Sequence, residues 1–438
     1  MEILIKALQF ILSLSFLIVL HELGHFIPAK IFKTRVEKFY LFFDYKFSLF
    51  KTKIGDTVYG IGWIPLGGYV KISGMIDESM DTEQMKQPAQ PWEFRSKPAW
   101  QRLIIMLGGV TVNFILGILI YIMIVFVWGV DFVKPTDIKH GFAVNEMLYD
   151  YGFKDGDKIL KFNGEEPLDV TAINKHLFLR GITSLEVLHD DGTKETLAIP
   201  ENIGDEMWAN GVMEPFAIRT DALIDSVIVD SPAEKAGLLK NDKIMSVNGT
   251  PVRFWQDFTK LIQNSKAENI AIDVERNGTI ETINLTPREE KTIGVFNDIS
   301  SSIMVQHKNY SFMESIPKGN SLAVWTLKDY VTQFKYVFTK KGATSIGGFI
   351  AIGNIFPATW SWQSFWGITA FLSIMLAFMN LLPIPALDGG HVMFTLYEMI
   401  TGRKPSDKFL EYAQITGFLL LIALLILANG NDIVKLFS

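Results

Sequence analysis

The sequence has no cysteine among its 438 residues. Disulfides, thiolate metal sites and a cysteine nucleophile are therefore excluded, so any metal must be bound by His, Asp or Glu. Charged residues are scarce at 20%, and a net charge of -6 gives no basic surface for nucleic acid. With 49% hydrophobic residues and a mean hydropathy of +0.23, the chain is too apolar for an ordinary soluble enzyme.

Long segments without charge predict four membrane spans. The first, residues 7–20, is too short to cross a bilayer that needs about 20 residues, so it must continue to about residue 29. It also resembles the apolar part of a signal peptide, although no small-residue cleavage site follows. The other spans are predicted in residues 103–130, near residues 365–382 and in residues 412–431. The charge-free residues before 365 indicate an interfacial or re-entrant segment.

The positions of Lys and Arg predict the orientation of these spans. The loop of residues 30–102 carries twelve of them, and the turn between spans three and four carries Arg403, Lys404 and Lys408. Loops rich in Lys and Arg are usually cytoplasmic. Both termini and the large insert of residues 131–341 are therefore predicted on the outer side.

The insert contains an internal repeat. The segment from Gly152 to Gly164 recurs 85 residues later as the segment from Gly237 to Gly249, each copy with a short alternating strand and an Asn-Gly turn. Ser231-Pro-Ala-Glu-Lys-Ala-Gly237 resembles the PDZ signature of bacterial periplasmic proteases. The first copy lacks the Ser-Pro-Ala element. We predict two tandem PDZ-like domains near residues 139–218 and 221–288, the alternative being two unrelated small β domains.

The motif His21-Glu22-Leu23-Gly24-His25 lies in the first predicted span. A spacing of four residues puts both imidazoles on one helix face, where they can bind Zn²⁺, and leaves Glu22 able to reach metal-bound water as a general base. Ionisable side chains inside a span are costly unless they face a partner or a wet cavity, so the cluster predicts a functional site. The alternative is that the histidines only hydrogen-bond within a helix bundle.

A catalytic zinc usually has three protein ligands and a water, so a third ligand is expected. Asp388 is the candidate, in the segment Asn380-Leu-Leu-Pro-Ile-Pro-Ala-Leu-Asp388-Gly-Gly-His391. Two prolines break the helix there, and the paired glycines give the backbone freedom to turn the carboxylate toward the histidines. His391 is a competing ligand candidate, although a histidine at a helix start is more often a hydrogen-bonded polar residue.

Together, the H-E-L-G-H motif, the later N-x-x-P-x-P-x-L-D-G-G segment and the PDZ-like repeats resemble the site-2 protease family of intramembrane zinc metalloproteases, especially its bacterial regulator-of-sigma-E branch. The resemblance covers essentially the whole chain. It implies that one zinc ion is bound by His21, His25 and Asp388 and that Glu22 is the catalytic base. It also implies that Asn380 holds the substrate or the developing oxyanion, with a helix-bundle hydrogen bond as the alternative.

The chain departs from this family at two positions where Gly-Pro is common. Gly109 is followed by Val110, and Gly348 is followed by Phe349. Both departures affect local helix geometry and leave the ligand set intact. Asn113, in the second span, either faces the site or packs between helices, and the small residues around it favour packing.

Residues 40–74 alternate apolar and polar side chains and contain several glycines, which predicts short strands and tight turns. The resemblance implies that this region is a membrane-dipping β sheet whose edge pairs with an extended substrate. An ordinary cytoplasmic β loop is the alternative.

The fold class predicted is an α-helical polytopic membrane protein with a membrane-associated β sheet and two PDZ-like domains. The predicted intervals are a first span at 1–30, a β region at 31–102, a second span at 103–130, PDZ-like domains at 139–218 and 221–288, a linker and re-entrant segment at 289–364, a third span at 365–402 and a fourth at 409–431.

The resemblance implies a protease of the bacterial inner membrane that acts on membrane-spanning substrates such as anti-sigma factors and remnant signal peptides. The PDZ-like pair would then screen substrates by size or bind a new C-terminus, and its first, poorly formed groove favours screening. A membrane PDZ scaffold or receptor with a structural or inactive metal site is the alternative. A zinc transporter is disfavoured because four spans offer no second repeat for alternating access.

Overall fold

The computed structural model describes residues 1–75 and 87–437, apart from the side chains of Leu66 and Asp407. The chain divides into two compact units. Unit 1 comprises Met1–Gly129 and Asn309–Ser438, and unit 2 is Val130–Lys308. Residues 76–86 of the predicted β region at 31–102 lie outside the described residues.

The helices are distributed over both units. They are α1 (Glu2–Ile31), α2 (Ala99–Trp128), α3 (Ile173–Leu179), α4 (Ile203–Asn210), α5 (Pro232–Ala236), α6 (Trp255–Asn264), α7 (Phe312–Phe334), α8 (Lys340–Ser345), α9 (Phe349–Asn354), α10 (Trp362–Leu381), α11 (Asp388–Thr401) and α12 (Asp407–Phe437).

The strands form one sheet in unit 1 and several in unit 2. They are β1 (Val36–Phe43), β2 (Phe50–Ile54), β3 (Thr57–Ile61), β4 (Ile64–Ile72), β5 (Val130–Phe132), β6 (Phe142–Val144), β7 (Lys158–Phe162), β8 (Ser184–Leu188), β9 (Lys194–Ala198), β10 (Phe216–Ile218), β11 (Ile224–Val227), β12 (Lys243–Val247), β13 (Thr250–Pro251), β14 (Ile270–Arg276), β15 (Thr279–Leu285), β16 (Val295–Asn297) and β17 (Gln306–Lys308).

Four helices among the described residues are long and apolar enough to cross a membrane: α1, α2, α10 and the Lys408–Phe437 part of α12. The four predicted spans are thereby confirmed. The third is shorter than the predicted interval 365–402, because the chain leaves α10 at Leu381 and begins a separate helix, α11, at Asp388. Pro383 and Pro385 lie between the two helices, where their missing N–H groups prevent one continuous helix.

The first two spans touch backbone to backbone. A Cβ atom on Gly24 would meet the carbonyl oxygen of Gly108, and one on Gly108 would meet the carbonyl oxygen of Gly24. Small residues allow such close approach between membrane helices, where van der Waals packing drives association. Because Gly24 lies within the metal motif, this contact brings α2 directly against the histidine-bearing face of α1.

Polar contacts fix α1 against α10 and the segment before it. Buried hydroxyls of Ser13 and Thr369 lie 2.9 Å apart, and the Gln9 amide donates to the carbonyl of Pro357 at 2.9 Å. Hydrogen bonds of this kind join membrane helices where the hydrophobic effect cannot. The first span is therefore held between the second and third spans.

The sheet of unit 1 has the order β2-β3-β1-β4, with β1 and β3 parallel and the other pairs antiparallel. Phe39 and Tyr59 on one face pack against Phe26 of α1, with ring centroids 5.5 and 6.0 Å apart. The strands predicted for residues 40–74 are confirmed. Since β4 is an edge strand, it has one side that no strand of this sheet covers.

The predicted linker at 289–364 contains a helix of 23 residues, α7, that the prediction missed. Ser311 and Glu314 form a capping box at its start, where the Ser311 hydroxyl accepts from the Glu314 N–H and the Glu314 carboxylate accepts from the Ser311 N–H. The sequence pattern S-x-x-E was available as a helix-start signal. The helix α7 contains charged residues, so a search for charge-free segments does not find it.

The two halves of unit 2 have a similar order of strands. In the first half β6 pairs with β10 and β7-β8-β9 form a sheet, and in the second half β11 pairs with β16 and β13-β12-β14-β15 form a sheet. A helix, α3 or α6, precedes the central strand in each half. In the second half, β16 lies beyond the predicted end at residue 288 and pairs with β11.

The turns predicted from the repeated Asn-Gly pairs are present. Asn163 and Asn248 both have φ of 49°, and the glycines that follow have φ of 84° and 74°. Asn-Gly favours such left-handed turns. The Asn163 side chain also accepts from the Ser184 N–H, and the Asn248 side chain accepts from the Ala271 N–H. The two copies of the repeat therefore share a turn structure as well as a sequence.

Candidate metal centre

Two imidazoles of α1 meet on one side of the helix, as the four-residue spacing predicts. The Nε2 atoms of His21 and His25 lie 3.2 Å apart, and the rings meet edge to face with centroids 4.8 Å apart. His25 is buried, and His21 is partly buried. Both rings thus direct the same nitrogen toward one point.

Asp388, the first residue of α11, completes this group. Its Oδ2 atom lies 3.3 Å from Nε2 of His21 and 3.3 Å from Nε2 of His25. That oxygen is buried, and no described hydrogen-bond donor is aligned with it. The position at a helix N-terminus favours a negative charge. A buried carboxylate oxygen without an aligned donor indicates that a bound group belongs there.

The turn before Asp388 is held in an unusual backbone conformation. Ala386 has φ of 82°, which costs a residue with a Cβ atom of order 1–3 kcal/mol. Gly389 and Gly390 act by leaving space, and not by the backbone freedom that the sequence suggested. A Cβ atom on either would meet carbonyl oxygens of Leu381 or Ile384, and neither glycine has positive φ.

The three ligand atoms fit a tetrahedral metal. Among the described residues, His21, His25 and Asp388 form a group whose ligand atoms all lie within 4.8 Å of one another. Zinc with bonds of about 2.0–2.1 Å keeps its ligand atoms roughly 3.3 Å apart, which matches separations of 3.2, 3.3 and 3.3 Å. The donor set of two imidazoles and one carboxylate is one that catalytic zinc uses.

Each histidine ring is oriented by a partner on α2. Nδ1 of His25 donates to the carbonyl of Ile105 at 2.9 Å, which leaves its Nε2 lone pair for a metal. Nδ1 of His21 lies 3.2 Å from the Asn113 amide nitrogen, while the Asn113 Oδ1 atom is buried without a partner. Exchanging the two amide atoms, which are commonly interchanged in structures, lets Oδ1 accept from Nδ1–H and gives His21 the same tautomer.

Gly109 gives the imidazoles their space. A Cβ atom at this position would meet Nε2 of His25 and the ring of His21. The family that the sequence resembles commonly has proline at the next position, whereas this chain has Val110. The requirement at the metal centre is therefore the missing side chain of Gly109, and the valine does not disturb it.

Glu22 lines the same cavity, of about 210 Å³, without joining the three ligand atoms. Its carboxylate accepts a hydrogen bond from the backbone of Val70 on β4. Gly68 lets β4 approach, because a Cβ atom there would meet Ile18 and Glu22. The edge strand therefore holds the carboxylate beside the metal ligands.

The two remaining candidates, Asn380 and His391, also line this cavity. The Asn380 amide nitrogen lies 3.4 Å from Nε2 of His21, which places it at the metal-facing side of the ring. His391 does not belong to the group of three ligand atoms. The geometry therefore groups Asp388, and not His391, with His21 and His25.

Sequence reasoning missed two amide side chains that line the cavity. For Asn113 it favoured packing between helices, and it did not consider Gln414 of α12. Both are buried in otherwise apolar spans, at 1% and 5% exposure. A lone buried amide in a membrane span is the available signal, since it needs a polar partner.

Known proteins give an independent comparison. Residues 9–424 match peptidase family M50. The chain is 30% identical over 451 residues to the regulator of sigma E protease of Haemophilus influenzae, with 98% of each chain covered. It is 28% identical to the regulator of sigma-E protease RseP of Escherichia coli, again over 98% of each chain. A relative from Vibrio cholerae, named as a zinc metalloprotease, is 29% identical over 99% of this chain and 100% of its own.

These relatives and the four apolar helices support a multi-pass protein of the bacterial inner membrane and a metalloprotease that uses zinc. The match spans nearly the whole chain and includes every residue of the candidate metal centre. The chain belongs to peptidase family M50, the site-2 proteases.

Proposed function

We propose that this protein hydrolyses peptide bonds within transmembrane segments of other membrane proteins. The observation that carries the proposal is that two imidazoles of the membrane helix α1 and the Asp388 carboxylate of α11 converge on one point, with Glu22 in the same cavity. Charged and polar groups are costly at such a place unless they serve a function.

The roles of the residues follow from their positions. Nε2 of His21, Nε2 of His25 and Oδ2 of Asp388 would hold one zinc ion. Zinc, when bound, polarises the scissile carbonyl and lowers the pKa of water to about 7. Glu22, held by the Val70 N–H, accepts the proton of the attacking water and returns it to the leaving amine.

Two groups beside the ligands would contact the substrate. Asn380 is placed to donate its amide N–H to the carbonyl oxygen that becomes negatively charged. The segment Gly67, Gly68, Tyr69 and Val70 of β4 lines the cavity and belongs to an edge strand. A transmembrane helix must lose its internal hydrogen bonds before cleavage, and pairing with β4 would replace them.

The names of two relatives suggest the substrate class. Both are regulators of sigma E, so membrane-spanning regulators such as anti-sigma factors are the proposed substrates. Cleavage of remnant signal peptides is a further prediction. The Lys and Arg distribution supports placing residues 30–102 in the cytoplasm and unit 2 on the outer side.

We assign unit 2 as two PDZ-like domains that screen substrates by the size of their outer part. In the second repeat Ser231 caps α5 and Gly237 ends it with φ of 86°, while Asn145 and Gly152 do the same for a 3₁₀ turn in the first. The first repeat thus has a 3₁₀ helix at the position where the second has an α-helix, and this difference favours screening over peptide binding by both repeats.

Deleting unit 2 tests screening, and the structure sets the ends of the deletion. Phe132 and Gln306 are paired across β5 and β17, so residues 133–305 can be replaced by a short turn. The deleted protein should cleave a transmembrane segment whether or not it carries a folded outer domain. The intact protein should cleave only the segment without that domain. Equal rates for both substrates in the intact protein would refute screening.

The main proposal is tested with full-length protein loaded with zinc in lipid nanodiscs. Single-span peptides are added, and mass spectrometry maps the new termini. Cleavage inside the apolar segment, stopped by a chelator and restored by zinc, supports the proposal. No cleavage of any single-span peptide, or equal cleavage by Glu22→Gln, overturns it. A scaffold with an inactive metal site would retain no zinc, and a scaffold with a structural site would retain zinc without cleaving any peptide.

A further inference from the structure

Gln414 is a buried amide in the fourth span. Its side chain is 5% exposed, whereas Thr416 on the same helix is exposed and donates to the Tyr412 carbonyl. Among the described residues, no hydrogen bond involves the Gln414 amide. An amide in a membrane span is costly unless it has a polar partner or faces a cavity.

The register of α12 directs this amide to the metal centre. Gly417 lies against the Pro385 carbonyl, because a Cβ atom at Gly417 would meet it. Pro385 belongs to the turn that leads into Asp388. Gln414 is three residues before Gly417 and therefore on the same face of the helix. It lines the metal cavity together with Glu22 and Asn380.

The same cavity is lined on another side by the edge strand. Gly68, Tyr69 and Val70 of β4 are among its lining residues. A primary amide carries an acceptor oxygen and two N–H donors, which are the complement of a peptide group. An extended peptide in the cavity would therefore find backbone partners on β4 and side-chain partners on α12.

We propose that Gln414 is a positioning residue that hydrogen-bonds one main-chain peptide group of the unwound substrate. The assignment rests on the proposed protease function. It gives the fourth span, which contributes no metal ligand, a direct part in substrate binding. The contact is made before the chemical step and is retained through it, so it acts on affinity more than on turnover.

Kinetics of the full-length, zinc-loaded protein test this role. Gln414→Met keeps the length of the side chain and removes the amide, and it should raise KM about tenfold with kcat and zinc content unchanged. The KM of Gln414→Asn should lie between that of wild type and that of Gln414→Met. Thr416→Val, on the exposed face of the same helix, is the matched control and should behave as wild type. An unchanged KM in Gln414→Met overturns the assignment.

Substrate binding provides a readout that does not require cleavage. In the Glu22→Gln background, a single-span peptide should bind about tenfold more weakly when Gln414→Met is added. If the wild-type protein cleaves no peptide but Gln414→Met still weakens peptide binding, only the protease proposal is rejected. Normal cleavage with no loss of affinity rejects the Gln414 assignment alone.

Esters in the peptide main chain distinguish a direct contact from a structural effect. Replacing one peptide bond by an ester removes its N–H. At the contacted position this replacement should weaken peptide binding to the wild-type protein. It should not weaken binding to Gln414→Met any further, and its effect on Gln414→Asn should be smaller than on wild type. If every ester weakens binding equally in wild type and variants, Gln414 does not contact the substrate main chain.

Discussion

Two groups of histidine and aspartate among the described residues are largely buried, and they differ in how many hydrogen bonds their carboxylate oxygens accept. In unit 2, His189 Nδ1 lies 2.6 Å from Asp157 Oδ1, and the second oxygen of Asp157 accepts from the Lys154 N–H at 2.9 Å. In unit 1, Asp388 Oδ2 lies 3.3 Å from two imidazoles and has no aligned donor. A short, fully paired contact is structural, whereas the longer and unmatched one is arranged for a third atom.

The second repeat supports the structural interpretation of Asp157. At the equivalent position Asp242 pairs with Arg276, whose guanidinium donates to both carboxylate oxygens at 2.6 and 2.7 Å. One repeat uses histidine and the other uses arginine for the same carboxylate. A site that tolerates either cation does not depend on imidazole chemistry.

The largest effect is expected from removing a ligand. His25→Ala, or Asp388→Asn, should lose zinc and with it all measurable proteolysis, since bound metal requires the complete set. Asp157→Asn breaks a buried pair and should cost about 3 kcal/mol of stability in unit 2, with zinc retained. Metal analysis and hydrogen exchange of the full-length protein check both. Zinc retained in Asp388→Asn but lost in His391→Ala would mean that the third ligand is His391.

The next effect separates the general base from the ligands. Glu22→Gln should lower turnover by about 10²–10⁴-fold, the usual contribution of general acid-base catalysis, because the amide cannot accept the proton. Zinc content and folding should match wild type, since Glu22 lies outside the ligand group. Turnover and metal content are measured on the same preparation. Wild-type turnover in this variant contradicts the assigned role.

A smaller effect is expected from the ring that Asn113 orients. Asn113→Leu should weaken zinc affinity about 10- to 100-fold, because the His21 tautomer is no longer fixed. Competition with a chelator measures the affinity. Thr369→Val is the control, since Thr369 is also a buried polar residue of the helix bundle but is bonded to Ser13. If both variants lose affinity equally, Asn113 acts only through packing.

The smallest expected effect is a pH dependence of the stability of the first repeat, which the second repeat should not share. The hydrogen bond to Asp157 raises the pKa of His189, although burial acts in the opposite direction. The stabilisation is fully present below the unfolded value of about 6.5 and is lost as pH rises through the folded value. His189→Arg, which copies Arg276, should remove this loss because the guanidinium stays charged.

Hydrogen exchange of the β7–β9 peptides in the full-length protein measures that difference. Wild type and His189→Arg are compared at each pH, so that intrinsic exchange rates cancel. Protection in wild type should fall relative to the variant as pH rises above about 6.5. The β12–β15 peptides serve as the internal control. A difference that does not change with pH would show that the His189 charge does not stabilise unit 2.

The sequence predicts what is encoded by local spacing. The four-residue interval of His21 and His25, the Asn-Gly turns and the charge-free spans each depend on neighbours along the chain, and the structure shows each of them. The places of Asn113 and Gln414 in the lining of the cavity depend on packing between helices far apart in sequence, which no local pattern contains. The helix α7 was missed for a different reason, because its start signal at Ser311 was present but unused.

The contact of Gly24 with Gly108 changes how the metal motif is to be understood. The pattern H-E-x-x-H leaves position 24 free, yet any side chain there would collide with the backbone of α2. In a mutational scan this position should tolerate substitution as poorly as the two histidines, although it has no ligand atom. Positions that a catalytic motif leaves unspecified can thus be constrained by the packing of a neighbouring helix.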